Sequence, residues 1–207
     1  MIEVKFIDKD GKIRTLDEIL TLGLEGRPVV VSSAEHEVHE GHAFTVSAVD
    51  EDMDNAATLN IAFKTCSPTL AETHGMGRAH FYASFSSLVG GSLEILEAPT
   101  WTTNTGTATA IINRHRADNP IVSAFTEDKT ATPAFTATGK VLVNVTGLAG
   151  GASLWKRYAW GEKGKVEAGD YRAENEILLK CNTQYAVVFT AIGASNKGQI
   201  ILNWIEH

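Results

Sequence analysis

The sequence predicts an all-β protein: an antiparallel β-sandwich, jelly-roll-like, preceded by a small N-terminal arm. Three observations carry this. From residue 29 onward, short runs rich in β-branched and aromatic residues recur at regular spacing. Clusters of Gly, Asn, Asp and Pro separate them, which is turn chemistry. Several runs also alternate apolar and polar side chains with a period of two, as half-buried strands do.

The arm spans residues 1–30. Ile2 to Ile7 alternates like a strand. Asp8-Lys9-Asp10-Gly11 then reads as a hairpin turn, because Asp-Gly supplies positive φ angles. Thr15-Leu16-Asp17-Glu18 has capping-box spacing ahead of Ile19, Leu20 and Leu22, which predicts one short helix. Gly23 and Gly26-Arg27-Pro28 end it.

The sandwich spans residues 31–207, with a first strand, Val29–Ser32, leading in. Its further strands are expected at Ala43–Val49, Thr58–Lys64, His80–Ser87, Ser92–Leu96, Thr107–Asn113, Ile121–Phe125 and Lys140–Val145. Three more follow at Ile177–Leu179, Tyr185–Ala191 and Gln199–Trp204. Breaks fall at Asp52 to Asn55, Gly90-Gly91, Asp118-Asn119-Pro120, Gly150-Gly151 and Gly161 to Gly164. Tyr185, Val187 and Phe189 share one face of their strand. Ile200, Leu202 and Trp204 share one face of the last, which pins the chain end into the core.

A length of 207 residues suits one large all-β domain, and 43% hydrophobic residues supply a core and argue against disorder. A formal charge of −7 disfavours nucleic acid, whose phosphates need a basic partner, and anionic membrane surfaces. No run approaches the roughly 20 apolar residues of a membrane span, and the N-terminus lacks the basic and apolar regions of a signal peptide. The expectation is a soluble protein made in the cytoplasm. Cys66 and Cys181 read as reduced, buried small hydrophobes, with a long-range bridge left open.

Four clusters could carry chemistry. His36, His39 and His42 interleave with Glu35, Glu37 and Glu40. Imidazole and carboxylate ligate zinc or iron, so a cupin-like metalloenzyme is the strongest enzymatic reading. A strand would send positions 36, 39 and 42 to alternate faces, and Gly41 argues against a helix, so the spacing favours a turn shaped by His39 and Gly41. His74-Gly75-Met76-Gly77 resembles an oxyanion loop, but no Gly-x-Ser-x-Gly elbow accompanies it. Asp8 to Gly11 begins like a calcium loop without the later ligands in register. No catalytic, metal-binding or cofactor-binding residue is assigned, and no cofactor is expected.

Arg114 and Arg116 stand in Asn113-Arg114-His115-Arg116, a basic cluster in an acidic chain. They are candidate interface residues, since Arg pairs bidentately with carboxylates; the alternative is a strand end whose arginines pair with local acids. Trp155 and Trp160, with Tyr158 between them, could anchor an interface or stack on a sugar ring, or pack as core on alternate faces. Trp101 joins the candidates because it opens a stretch, Pro99 to Asn113, that holds no charge at all. Residues 130–153 hold only one lysine. Charge-poor surfaces in soluble proteins often lie against another protein; a pair of ordinary hairpins is the equal alternative.

Two motifs frame the sandwich: Glu35-His36-Glu37-Val38-His39-Glu40-Gly41-His42-Ala43-Phe44 and Leu202-Asn203-Trp204-Ile205-Glu206-His207. With Asn113-Arg114-His115-Arg116 and Asn182-Thr183-Gln184-Tyr185 between them, the chain from residue 34 resembles a family of tailed-phage virion proteins. These are small β-rich proteins encoded among head genes and held to decorate or cement the capsid. The resemblance implies a structural role for His39, Gly41, Phe44 and Trp204 and no enzymatic activity. It implies residence on the capsid surface of the virion, the major capsid protein as partner, and a homo-oligomer with a trimer favoured. A tail, fibre or carbohydrate-binding module is the alternative.

Overall fold

The computed structural model describes residues 5–8, 13–14, 26–29, 38, 41–65, 79–116, 122–130, 138–160, 167–168 and 176–206. The chain divides into two compact units, 1–40 and 41–207. The first contains a three-stranded antiparallel sheet: β1 (Lys5–Asp8) lies between β2 (Ile13–Arg14) and β3 (Gly26–Val29). β1 and β2 pair in register Phe6↔Arg14 and Ile7↔Ile13, and the Asp10-Gly11 segment between them in sequence lies outside the described residues. The expected helix after Thr15 lies outside the described residues, as do residues 30–32.

The second unit is a sandwich of two antiparallel six-membered layers. One sheet contains β4 (Ala43–Met53), β6 (Ala79–Ser87), β9 (Ile112–Asn113), β12 (Glu167–Ala168), β13 (Ile177–Leu179) and β15 (Asn196–Glu206). Its order is β12-β6-β15-β4-β9, with β13 also on β6. The other contains β5 (Thr58–Lys64), β7 (Gly90–Glu97), β8 (Thr107–Ala110), β10 (Lys140–Val143), β11 (Ala152–Trp160) and β14 (Gln184–Ala191), ordered β11-β7-β14-β5-β10-β8.

Consecutive strands change sheet: β4 to β5, β6 to β7 and β14 to β15. The last pair returns between the first two, so β15 pairs with β4 and β6 while β14 pairs with β5 and β7. With β12 on β6 and β11 on β7, four antiparallel ribbons are wound together. That is jelly-roll winding. Residues 98–151 are an insertion between β7 and β11; they extend one sheet with β10 and β8, and the other with β9.

The main core lies between the sheets. Its inward residues alternate along the strands, with Tyr185, Val187 and Phe189 facing Ile200, Leu202 and Trp204, all fully buried. Phe189 leaves no room for a side chain at two glycines, Gly91 of its own sheet and Gly198 of the facing one. A Cβ on Gly91 would stand 2.4 Å from the Phe189 ring, and one on Gly198 would stand 2.6 Å from it. Gly91 therefore belongs inside β7, and the predicted turn at Gly90-Gly91 falls two residues earlier.

A second core cluster lies on the outer side of the β5-containing sheet. Ala62, Ala186, Leu96, Leu142 and Val188 sit one position off the main-core residues, hence on the opposite face. Trp101, Val145 and Leu148 of the insertion cover them. The two covering segments pair through Thr100 N–H to the Ala149 carbonyl and Thr102 N–H to the Thr146 carbonyl, both 2.9 Å. Buried Asn60 ties them down: its amide donates to the Val145 carbonyl at 3.2 Å, and Val145 N–H donates back at 2.9 Å.

Three strand expectations change. Ile121–Phe125 is not a strand among its described residues; the segment makes a single bridge, Lys64↔Thr126. Thr107–Asn113 breaks at Ile111, where the chain passes from one sheet to the other. β11, which the sequence pattern did not mark, runs the full length of β7 with a bulge between Ser153 and Trp155. Cys181 is half-buried, not fully buried, and Cys66 lies outside the described residues.

Candidate interaction surface

The motifs converge at one end of the sandwich. Gly41 turns the chain into β4 with φ of +81°, a conformation open to glycine at little cost. Its carbonyl accepts from Asn113 Nδ2 at 2.7 Å, and the Ala43 carbonyl accepts from Arg114 N–H at 2.9 Å. The His42 carbonyl accepts from Glu206 N–H at 3.0 Å. Phe44 and Trp204 stack with centroids 5.9 Å apart. Gly41 to Phe44 of the opening motif, the Asn-Arg-x-Arg segment and the closing motif thus form one junction. Asn182 to Tyr185 joins it through rings. Tyr185 packs on Phe63, Phe63 stacks on Phe125 at 4.6 Å, and Phe125 stacks on Trp204 at 4.7 Å.

Glu206 holds this junction closed. It is 2% exposed. Ser123 Oγ–H donates to Oε1 at 2.6 Å, Trp204 Nε1–H donates to the same oxygen at 2.7 Å, and Ala124 N–H donates to Oε2 at 2.9 Å. Burial pushes its pKa up, against these three hydrogen bonds and the His42 imidazole nearby, which pull it down. The arrangement binds residues 122–126 across the end of the sandwich; it leaves no carboxylate oxygen open for chemistry. The sequence carries a signal for Glu206: it continues the inward series Ile200, Leu202, Trp204 by the same period of two.

A second polar knot sits at β14. The Tyr185 hydroxyl donates to Glu97 Oε2 at 3.0 Å and accepts from Lys180 N–H at 2.9 Å. Lys180 Nζ reaches Glu97 Oε1 at 2.7 Å. Burial raises the Tyr185 pKa, and the Lys180 hydrogen bond lowers that of Glu97. Both are structural uses of polar groups.

The candidate interface residues separate. Trp101 is 3% exposed and packs inward from the insertion onto the second core, with the Lys129 ammonium over its ring and bonded to its carbonyl, so it presents no surface. Trp155 is half-buried against the main core. Tyr158 is 53% exposed, beside Lys156, which pairs with Glu94 at 3.0 Å. Ser153 and then Lys156 hold the Glu94 pKa down. Arg116 is exposed and Arg114 half-exposed at the motif junction. The Trp160 side chain, His36, His39 and the His74 to Gly77 loop lie outside the described residues. Among the described residues no group of three or more His, Cys, Asp or Glu could hold a metal, and no helix is long and apolar enough to cross a membrane.

What the described surface does offer is the insertion. Thr100, Thr102, Thr103, Asn104, Thr146 and Ala149 are exposed, and no charged side chain interrupts Pro99–Asn113 or Val141–Ser153. Tight backbone turns hold this layer: Asn104, Gly106, Asn144, Gly147, Gly150 and Gly151 all have positive φ. The residues of this layer are preorganised and carry no charge themselves; the Lys129 ammonium stands over the Trp101 ring. Comparison of the chain with family models, with curated proteins and with solved structures finds no match.

Proposed function

We propose that this protein is a virion structural protein of a tailed phage, a decoration or cement protein that binds the outer surface of the head lattice through its uncharged insertion layer. The reading rests on the resemblance of four motifs to such proteins and on one observation: the exposed, charge-free layer formed by residues 99–106 and 144–153. Interface centres are depleted in charge, and rigid contact surfaces lose little entropy on docking. In a chain of formal charge −7, that layer is where a protein partner meets least desolvation cost. The partner is the major capsid protein, and the chain acts without a cofactor or catalysis.

The mechanism is mass action on a lattice. A weak contact repeated by an oligomer gains avidity from effective concentration. Binding the expanded shell and not its precursor then stabilises the expanded shell. The test mixes purified protein with expanded capsids that lack it, and measures co-sedimentation and copy number. Saturation at a lattice-determined copy number, absent with unexpanded shells and lost in Thr102→Lys/Thr146→Lys, is the expected result. Absence of binding to both shells would sink the proposal and turn attention to Tyr158 as a glycan-stacking residue, read by glycan-array binding.

A further inference from the structure

We propose that β8 is a self-pairing edge through which two copies of this chain join their six-stranded sheets around a two-fold axis at Thr109. The sheet containing β8 has two edges, and they are built differently. β11, at one end, carries a bulge at Ser153/Trp155 and the exposed Lys156, two devices by which native sheets block edge-to-edge pairing. β8, at the other end, is Thr-Ala-Thr-Ala: regular, unbulged, free of proline and free of charge. Among the described residues no strand pairs with its outer side. Thr107, Ala108 and Ala110 are exposed.

The register follows from the ladder. Ile111 N–H donates to the Gly139 carbonyl at 2.7 Å, so Ile111 faces the β10 side. Residues alternate along an antiparallel strand, so Thr109 and Thr107 also bond toward β10, opposite Val141 and Val143. Ala108 and Ala110 therefore direct N–H and C=O groups outward. Two such edges are self-complementary when antiparallel: Ala108 meets Ala110 of the second copy, Ala110 meets Ala108, and Thr109 meets its own counterpart. An isologous pairing of this kind closes as a dimer.

Charge selects the occupant. A second copy carries the same net charge of −7, so repulsion between copies is least where neither brings a charged side chain to the contact. The edge lies inside Pro99–Asn113, which has none. Apolar surface continues past its end. Ile112 is 48% exposed and Val122 is 56% exposed, and Val122 lies against Gly139, whose carbonyl Ile111 uses. The pairing does not depend on capsid binding, and its test uses isolated protein.

Sedimentation velocity of the full chain over a concentration series is expected to give twice the 22.3 kDa chain mass at the upper end. Ala108→Pro removes one outward donor and no bond to β10, so it is expected to sediment as a monomer with unchanged circular dichroism. Leu154→Lys, on the opposite edge, is expected to remain dimeric. Thr109→Cys, in a Cys66→Ser/Cys181→Ser background, places sulfurs across a non-hydrogen-bonded pair with Cα atoms about 4.5 Å apart and is expected to cross-link on oxidation. Thr107→Cys, two residues off the axis, is expected not to. A monomer at all concentrations, a trimer, a dimer indifferent to Ala108→Pro, or cross-linking at 107 and not at 109 would overturn the proposal. If Ala108→Pro fails to fold, the cysteine pair decides.

Discussion

Glu206 is the residue where sequence, packing and electrostatics meet. Its three partners are all donors, so the site is shaped for an acceptor with two oxygens. Glu206→Gln puts an amide N–H against the Ala124 N–H or the Trp204 Nε1–H, and it should cost about 1–3 kcal/mol, the usual penalty for a buried group left unpaired. The pH dependence has a definite sign. Burial raises the folded pKa above the unfolded value of 4.5. A raised carboxyl pKa means the folded state disfavours the charge. The contribution of Glu206 is then fully present below pH 4.5 and is lost as pH rises through the folded pKa. Glu94 and Glu97 shift the other way, but they are common to both proteins and cancel in the difference. Urea denaturation of both proteins from pH 4 to pH 8 checks this. The advantage of the native protein over Glu206→Gln should shrink as pH rises; an advantage that grows would mean the three donors outweigh burial.

At the scale of elements, the segment 122–126 carries more weight than its lack of regular structure indicates. Phe125 is fully buried between Phe63 and Trp204, with both rings within 8° of parallel to it. It joins a strand of each sheet. Phe125→Ala should cost about 3–5 kcal/mol, as a buried aromatic truncation does, whereas Ile112→Ala at the surface should stay within about 0.5 kcal/mol. Chemical denaturation of the two variants separates them. The segment also marks a limit of what the sequence reveals. Its apolar content was legible, so a strand was expected at Ile121–Phe125; what fixes it is a carboxylate more than eighty residues away, which no local pattern encodes. β14 and β15 were legible because alternation reports directly on a half-buried strand. β11 was not, because its bulge interrupts the period and its outward residues Leu154 and Tyr158 are apolar. The charge-poor run around Trp101 matches an interface in sequence, yet the Trp101 side chain is buried. That run is uncharged for two reasons at once: part of it covers the second core, and the rest is exposed. The motif residues Gly41, Phe44 and Trp204 could be picked out, but only the fold shows that Asn113 and Glu206 are what bring them together.

At the scale of the molecule, jelly-roll winding places the two ends of the sandwich sequence side by side: β4 opens the sandwich, β15 closes the chain, and the two pair in register Phe44↔Trp204. β15 is central in its sheet, with β4 on one side and β6 on the other, and it supplies Ile200, Leu202 and Trp204 to the core. Neither neighbour can form its inner ladder until the last strand arrives. Pairings this distant in sequence impose a high loop-closure cost before any reward, so folding should be slow, in the range of milliseconds to seconds or longer. The N-terminal forty residues stand in a different relation. Among the described residues, every ladder and every core residue of the sandwich lies at or beyond Gly41. A fragment beginning at Gly41 keeps the Gly41–Asn113 and His42–Glu206 bonds and should fold cooperatively, with the β signature of the full chain. A chain ending at Gln199 loses the centre of one sheet, the Trp204 stack and the Glu206 clamp together. It should not fold at all, a loss far beyond the usual 5–15 kcal/mol of total stability. Circular dichroism and thermal melts of the two truncations provide the comparison. A folded 1–199 chain would show that β4 and β6 close without β15; an unfolded 41–207 chain would show that the first unit belongs to the same cooperative unit as the sandwich.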